Sequence, residues 1–588
     1  MKLYKLSLAL FLGFGAMSMT SCEDKLEVTN PNEQTTGTFG FTSDDLEECV
    51  IAAYHDLRME GSTGRVGYTI DAVRGDEVWN SSQVWYMPFD DMNDPVTDGI
   101  SFWPWREYYY AINVCNFILS RTTGDNAQLS ESMKRIKGQA LFIRGFAYYN
   151  LVGYYKDVPL ITDYSTYSSL DGLYGANNTS DEVLDQAEKD LKEAMELLPN
   201  RQAGGEWAKG RATCGAAAGY YARTLMFRHK YSEALEVLKD IIGGTKYGKY
   251  KLMANYGDNF REGSAYENND ESLFEVQYLD YGTQGVDDEW TPVNVSPNAT
   301  QGHAVESNFA PGDFGGWADL SASPWLYNLF KEERTTAGKL DPRLYWTLGT
   351  YEKEWEGFEN GNVAYTKKIT ATDTLRTNNN YGGIPIAKWT NMRTGLYSSV
   401  ATGLRCGINL RMMRYSDVLL RAAECENEVN GPTEQAIKWI NEVRQRAGLA
   451  DLKLADFNTK DKLFEQIANV ERPKEFGCEN GRGMDLIRWG FFYDKGRLDQ
   501  LKEHGTFYKN KTIDVKTPVT YAQTKTDPEH VKSSYDTYSP GHEFLPIFQT
   551  LLNNNPNLKG NSANDGIDNS TDFFGRGWKV HPVVDLSK

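Results

Sequence analysis

Apolar residues recur at helical spacing along most of the chain, and this pattern predicts a mainly α-helical protein. The first helix is expected to begin near Ser43, because Leu46, Val50, Tyr54 and Leu57 lie three or four residues apart. Ser43 precedes two acidic residues and is therefore expected to cap this helix. Further helices are predicted to begin near Trp105 and Tyr231 and to occupy residues 132–155, 181–198, 210–230 and 411–446.

Two of these regions share a plan that indicates degenerate tetratricopeptide-like helix pairs. Residues 210–230 are rich in Ala and Gly, so a neighbouring helix can pack closely, and the next helix opens with a Tyr-x-x-Ala sequence at Tyr231. The same plan recurs in residues 411–446, on either side of Gly431 and Pro432. Each pair would bury its apolar face against the next pair, as in solenoid proteins.

The residue pattern and composition change between these helical regions. Residues 272–279 alternate like a β-strand, whereas residues 60–104 and 280–323 are rich in Gly, Asp and Trp and are predicted to be loops. Loops of this length are uncommon in compact domains unless they carry function. We therefore expect the functional residues in these two segments.

Composition narrows the classes of function. The 588 residues carry 62 basic and 81 acidic side chains, a net charge of −19, which disfavours nucleic acid and anionic lipid as main partners. The 14 Trp, 35 Tyr and 26 Phe residues indicate a folded protein. Only seven His residues leave little room for His-ligated metal or His-based catalysis.

The N-terminus is typical of a bacterial lipoprotein signal. Lys2 and Lys5 precede an apolar run, Leu6–Met17, which is too short to span a bilayer and is followed by small residues and Cys22. We predict a signal peptide over 1–21, lipid attachment at Cys22 and a tether over 22–42. The membrane is then contacted only through the lipid anchor. A soluble export signal that happens to end in a cysteine is the simpler alternative.

The remaining cysteines and acidic residues predict no cofactor. The six cysteines other than Cys22 have no C-x-x-C spacing and lie mostly in apolar helical patterns, so we expect buried free thiols. Asp565, Asp568 and Asp572 in the C-terminal tail lack the spacing of an EF-hand, which favours a solvated loop. A structural calcium ion at these residues stays open.

Four ordered signatures resemble those of the SusD/RagB family, surface lipoproteins of Bacteroidetes nutrient-uptake systems. They are a long helix with an Asp-Val-Pro-Leu exit (135–162), a repeat pair (414–430 and 440–449), an E-R-x-x-E … G-x-R-x-x-D-L-x-R-W-G stretch (467–490) and a P-I-P … N-P-N-L-x-Q-N ending (544–561). The sequence departs from these patterns at Pro473, Phe548 and Gly560, which are scaffold positions.

The resemblance implies a SusD-like domain over residues 43–561, with a helical-repeat part (43–255), a loop-rich C-terminal part (256–561) and a C-terminal extension (562–588). The acidic residues after Cys22 are similar to the export tag of such surface lipoproteins. The implied function is capture of oligosaccharides on the outer face of the outer membrane. The captured glycan would pass to a SusC-like TonB-dependent transporter.

The third signature also has a physical interpretation. Arg482, Asp485 and Arg488 are spaced to lie on one helix face. With Glu471 and Glu475 they are expected to form a buried ion-pair network. This network would maintain the fold and would have no chemical role.

The candidate site residues are aromatic and amide side chains in the two predicted loops. Trp79, Asn80, Trp85 and Tyr86 fall within eight residues, and the resemblance implies glycan binding through aromatics on such loops. A sugar ring has an apolar face that stacks on an aromatic ring and hydroxyls that bond to amides. Core packing is the competing interpretation for each tryptophan. Two further candidates lie in the second loop: Trp290 and Trp317.

Two other functions remain open at this point. A surface glycoside hydrolase would need a pair of carboxylates on opposite sides of a sugar site, and with 81 acidic residues the sequence alone does not exclude one. Peptide capture is the other alternative, since some family relatives are linked to peptide uptake. The helical-repeat plan favours a binding protein and no enzymatic activity.

Overall fold

The structure is a computed structural model that describes residues 42–81, 83–168, 172, 174–279, 302–350, 383–393, 397–479, 481–508, 526, 529, 531–569 and 579–587. Its helices in chain order are α1 (Ser43–Arg58), α2 (Arg65–Val73), α3 (Met87–Asp90), α4 (Phe102–Arg121), α5 (Glu131–Tyr155), α6 (Ser180–Leu197), α7 (Arg201–Gly204), α8 (Cys214–Phe227), α9 (Tyr231–Gly243), α10 (Val305–Phe309), α11 (Pro324–Lys331), α12 (Pro342–Thr347), α13 (Tyr397–Thr402), α14 (Tyr415–Asn430), α15 (Glu434–Arg446), α16 (Lys460–Gln466), α17 (Arg472–Phe476), α18 (Arg482–Arg488), α19 (Lys495–His504), α20 (Gln549–Asn554) and α21 (Ser562–Asp565). Its strands are β1 (Val78–Asn80), β2 (Ser272–Val276), β3 (Leu320–Ala322), β4 (Leu410–Arg414), β5 (Thr506–Tyr508) and β6 (Val531–Ser533).

Side-chain caps set the starts of the long helices. The Thr42 hydroxyl accepts a hydrogen bond from the Asp45 amide, and the Asp45 carboxylate accepts one from the Thr42 amide, so Thr42 caps α1. The expectation that Ser43 is the cap is therefore wrong by one residue. Thr179 and Glu182 form the same reciprocal pair at α6. In the described part of the chain, no helix combines the length and apolarity needed to cross a membrane.

The long helices pack one against the next in a continuous series. This series runs α1, α4, α5, α6, α8, α9, α14 and α15. Glycines allow close approach within it: a Cβ atom at Gly145 of α5 would lie 2.8 Å from Leu191 Cγ of α6. The apolar stripes predicted from the sequence thus face neighbouring helices and form the core.

A strand interrupts the second predicted helix pair. Residues 410–414 form β4, which pairs antiparallel with β2, so that Val276 faces Leu410 and Ser272 faces Arg414. The predicted strand in 272–279 is confirmed as β2. The prediction of helix at residues 411–414 is wrong, because their backbone groups bond to a strand more than 130 residues earlier.

The predicted loop at residues 60–104 also contains regular structure. Every residue of α2 is buried, and β1 pairs antiparallel with β3 in the register Val78↔Ala322, Trp79↔Ser321 and Asn80↔Leu320. This segment therefore belongs partly to the core. The pairing connects it to the second candidate loop.

Three charged residues of the third signature, Arg472, Asp485 and Arg488, belong to a buried cluster. We name this cluster the charged core, and its other members are Asp417, Arg421 and Glu424. Asp485 pairs with Arg472 at 2.5 Å and with Arg488 at 2.7 Å. Burial by itself would raise the pKa of Asp485, but the neighbouring guanidinium groups outweigh burial and hold it well below the usual range. The carboxylate therefore stays ionised inside the protein.

The other expected partners in this network lie elsewhere. Arg482 pairs with Asp76, 406 residues earlier, at 2.7 Å. Glu471 pairs with Arg444, and Glu475 pairs with Arg414. The prediction of buried ion pairs is confirmed, but the expected link of Glu471 and Glu475 to the Arg482–Arg488 face is wrong.

The prediction of buried free thiols is confirmed for the cysteines that the structure describes. These are Cys49, Cys115, Cys214, Cys406, Cys425 and Cys478. Burial raises the pKa of Cys115 and of Cys478 above the usual thiol range. Both thiols are therefore protonated at neutral pH. Cys22, the predicted lipid-attachment residue, lies outside the described residues.

Candidate functional site

The β1/β3 pair brings the two candidate segments to one place. Because the strands are antiparallel, the chain that follows β1 and the chain that precedes β3 lie at the same end of the pair. The Ser81 amide donates to the Asp319 carbonyl at 2.7 Å and extends the contact beyond the strands. Trp85 follows Ser81 and Trp317 precedes Asp319, so both belong to this end, which we name the aromatic surface.

Trp85 lies in a tight turn on the aromatic surface. Its side chain is 41% exposed, and that of neighbouring Val84 is 65% exposed. The Asn80 amide nitrogen donates to the Gln83 carbonyl at 2.7 Å, and the Gln83 amide donates back to Asn80 Oδ1 at 3.0 Å. These two bonds connect Gln83 to Asn80 of β1, and the partly exposed indole of Trp85 follows two residues later.

Trp317 is partly buried at the same end of the β1/β3 pair. Its amide donates to the Ser307 carbonyl at 2.6 Å, and the Ala318 amide donates to the Ala310 carbonyl at 3.0 Å. Both acceptors belong to α10 or directly follow it, so this helix positions the ring. The guanidinium of Arg65 lies over the Trp317 ring, 5.3 Å from its centroid.

Arg65 is held beneath the surface by a carboxylate. Its Nε lies 3.3 Å from Glu60 Oε2, and both side chains are buried. Burial would lower the pKa of Arg65, but Tyr86 and Glu60 outweigh it and raise the pKa, so the guanidinium stays charged. Burial raises the pKa of Tyr86, which therefore keeps its proton beside this pair.

The structure changes the interpretation of Trp79. Its side chain is 1% exposed and stacks on Phe507 of β5, with ring centroids 4.2 Å apart and planes within 4° of parallel. A ring in this position offers no face to a ligand. The expectation that Trp79 binds glycan is corrected: burial on a paired strand makes it a core residue.

Asn80 and Tyr86 are also buried, and they pack beneath the exposed residues of the aromatic surface. The Asn80 amide group bonds to Gln83, as described above, and its backbone amide donates to Asp90 Oδ2 at 3.0 Å. These two residues are therefore corrected from ligand contacts to structural supports. Trp290, the remaining candidate, lies outside the described residues.

Sequence reasoning missed the groups that position the Trp317 ring. Arg65, Glu60 and Ser307 were not candidates, because each lies in a segment predicted to be a loop. An apolar spacing was present, since Val66, Ile70 and Val73 are three or four residues apart and form part of buried α2. That spacing could have placed Arg65 at the start of a helix.

A separate cleft of about 310 Å³ lies between α7, residues 205–213 and β2, and none of the sequence-predicted candidates lines it. Its cations are paired with acids: Arg201 lies 3.6 Å from Asp270, and Lys209 lies 2.8 Å from Glu206. This cleft therefore presents balanced charge to solvent.

The structure gives no support to a calcium site among the described residues. No group of three or more His, Cys, Asp or Glu side chains in this part of the chain could hold a metal ion. Asp565 and Asp568 are exposed, and Asp572 lies outside the described residues. Asp565 is the last residue of helix α21, so the expectation of a loop is wrong there, whereas Asp568 follows the helix.

Comparison with known proteins identifies two family models along the chain. Residues 270–565 match the model of the SusD family. Residues 24–226 match a model described as starch-binding associating with outer membrane. SusD-like protein P25 of Formosa agariphila is 25% identical over 572 residues, which cover 91% of this chain and 98% of that protein.

Solved structures share the fold. A SusD superfamily protein from Bacteroides vulgatus is 24% identical with a TM-score of 0.68, over 90% of this chain and 100% of that one. Surface glycan-binding protein A from Bacteroides thetaiotaomicron, in complex with laminarihexaose, is 21% identical with a TM-score of 0.62, over 88% and 99%. These overlaps confirm the predicted mostly helical fold class.

Proposed function

The chain belongs to the SusD/RagB family, and on this basis we propose that it captures oligosaccharides at the cell surface and delivers them to a SusC-like TonB-dependent transporter. Two comparisons support the proposal. One matching family model is described as starch-binding and as associating with the outer membrane. One protein of the same fold was solved with a bound glucan, laminarihexaose.

The aromatic surface is the observation that supports a glycan as the ligand. The backbone segments that carry Trp85 and Trp317 are held by hydrogen bonds at one end of the β1/β3 pair. Stacking on the apolar face of a sugar ring needs no complementary charge, so it suits a neutral glycan on a protein of net charge −19. In this proposal Trp85 and Trp317 contact glycan, whereas Arg65 positions Trp317.

The first experiment combines a ligand screen with single substitutions. The purified protein is titrated with oligosaccharides, including laminarihexaose, and with peptides. Trp85→Ala and Trp317→Ala should each weaken binding of the best glycan several-fold, because a buried aromatic contact contributes on the order of 1 kcal/mol. The melting temperature should change little, since the Trp85 side chain is 41% exposed and that of Trp317 is only partly buried.

Tyr110→Ala provides a matched control. Tyr110 is 45% exposed, like Trp85, but lies on helix α4 away from β1 and β3. This variant should bind as the wild type does. If both tryptophan variants bind the best glycan with unchanged affinity, the aromatic surface is not the site. If only peptides bind, or reducing ends appear during incubation with glycan, the proposed capture function is wrong.

The anchor and the partner are tested separately. We propose acylation at Cys22, which places the protein on the outer face of the outer membrane. Cys22→Ala should then release the protein from the membrane fraction of cells that lack the transporter. Co-expression with the neighbouring SusC-like transporter should yield a complex in detergent. Recovery of this chain alone under those conditions would contradict the proposed partnership.

A further inference from the structure

The C-terminal residues 579–587 return to the helical scaffold and are held there through their backbone. Arg497 of α19 donates from Nε to the His581 carbonyl at 2.7 Å and from Nη2 to the Pro582 carbonyl at 2.9 Å. Its Nη1 donates to Glu465 Oε2 at 2.6 Å, so the guanidinium is fixed on both sides. This short segment is therefore docked at a defined place.

The imidazole of His581 lies between two carboxylates. Nε2 lies 2.6 Å from Glu428 Oε1 of α14, and Nδ1 lies 2.7 Å from Asp461 Oδ1 of α16. The ring also stacks on Phe464, with centroids 4.0 Å apart and planes 16° from parallel. A neutral imidazole has one N–H, so only the protonated ring donates to both carboxylates at once.

Three other charged or titratable groups among the described residues interact with His581 or Glu428. Lys460 of α16 donates from Nζ to the Glu428 carbonyl at 2.6 Å. The charge of Glu428 also acts on His229, whose pKa it would raise. Burial is the largest effect on His229 and lowers its pKa, so this ring is neutral near pH 7. Arg497 opposes a positive charge on His581, but its own partner Glu465 compensates it.

Burial alone would lower the pKa of His581. The hydrogen bonds to Glu428 and Asp461, and the charges of these carboxylates, outweigh burial and raise the pKa above the ordinary value of about 6.5. The charged form therefore persists to a higher pH in the docked segment than in a detached one.

We propose that His581 is a proton-controlled latch that holds residues 579–587 on helices α14, α16 and α19. Because protonation favours the docked form, docking is fully supported below the ordinary histidine range. The stabilisation that the protonated ring adds to docking is lost as pH rises through the raised pKa of the docked form, and the segment is then held only by groups such as Arg497. Deprotonation leaves one carboxylate without its donor, and release of the segment uncovers the face of Phe464.

The test places a spin label beside the latch. Val583 is 46% exposed, and the described cysteines are all buried, so Val583→Cys in a Cys22→Ser background can be labelled selectively. The mobile fraction of the spectrum should be small at about pH 6 and at least about threefold larger at about pH 9.5. Its midpoint should lie above the ordinary histidine value.

Three substitutions in the labelled protein identify the responsible group. His581→Gln should make label mobility independent of pH, and Glu428→Gln should move the midpoint to lower pH. His542→Gln is the matched control, because His542 lies outside the segment, and it should leave the wild-type titration unchanged. A label that is mobile at about pH 6, immobile up to about pH 9.5, or equally pH-dependent in His581→Gln overturns the latch.

Discussion

The charged core and the aromatic surface differ in both exposure to water and charge. In the charged core, Asp485 and its arginine partners are almost completely removed from water and compensate one another. On the aromatic surface, two indoles remain partly accessible and are positioned mainly through backbone hydrogen bonds. The contrast indicates that paired charges maintain this fold, whereas the proposed ligand contacts are uncharged rings that remain partly accessible.

The strongest test of this contrast is removal of the central carboxylate of the charged core. Asp485→Ala removes the carboxylate that contacts Arg421, Arg472 and Arg488 together. Only Asp417 and Glu424 then remain to compensate these three buried guanidinium groups. Loss of one partner from a buried ion pair typically costs about 3–5 kcal/mol of the free energy of unfolding. Chemical denaturation should therefore show a large loss of stability.

Asp499→Ala is the control for that measurement. Asp499 pairs with Lys495 at 3.3 Å on the surface, where the side chains are 54% and 94% exposed. An exposed pair contributes little, so we expect a change below about 1 kcal/mol. Equal effects of the two substitutions would remove the distinction between core and surface charges.

The second prediction concerns two tryptophans six residues apart. Trp79→Ala removes a buried ring that stacks on Phe507 and should cost about 3–5 kcal/mol of unfolding free energy. Trp85→Ala removes a ring that is 41% exposed and should cost much less. The unfolding free energies of both variants and the wild type are compared by chemical denaturation. If Trp79→Ala is as stable as Trp85→Ala, the assignment of Trp79 to the core is wrong.

The third prediction concerns a buried carboxylate under the aromatic surface. Glu306 of α10 accepts hydrogen bonds from the backbone and side-chain amides of Asn391 at 2.7 and 3.0 Å. Burial raises its pKa to about 7, from an ordinary value of 4.5. The folded state therefore favours the protonated form, so this group lowers stability as pH rises from about 4.5 to 7.

Glu306→Gln tests that linkage, because glutamine remains uncharged at every pH. The variant should gain stability relative to the wild type between pH 5 and 7, by about 3 kcal/mol at most. The measurement is the difference in unfolding free energy at several pH values. A difference that stays constant with pH would show that Glu306 is ionised in the folded protein.

Local sequence alone located much of the scaffold. The caps and the apolar spacing of α1, α5 and α6 act within a few residues, so their boundaries were predicted to within a few positions. Strand β4 was missed because its pairing partner is β2, far away in sequence. Local propensity carries no information about such a partner.

The candidate site divides in the same way. The sequence by itself determined that aromatic residues concentrate at 79–86 and near 317, that the signatures resemble one family, and that the third signature would hold buried charges. Only the tertiary structure decided that Trp79 is buried while Trp85 is exposed, that the Arg65 guanidinium lies over the Trp317 ring, and that Arg482 pairs with Asp76. The physical reason is that burial and ion pairing depend on which distant segments meet, whereas helix periodicity and capping depend on neighbours along the chain.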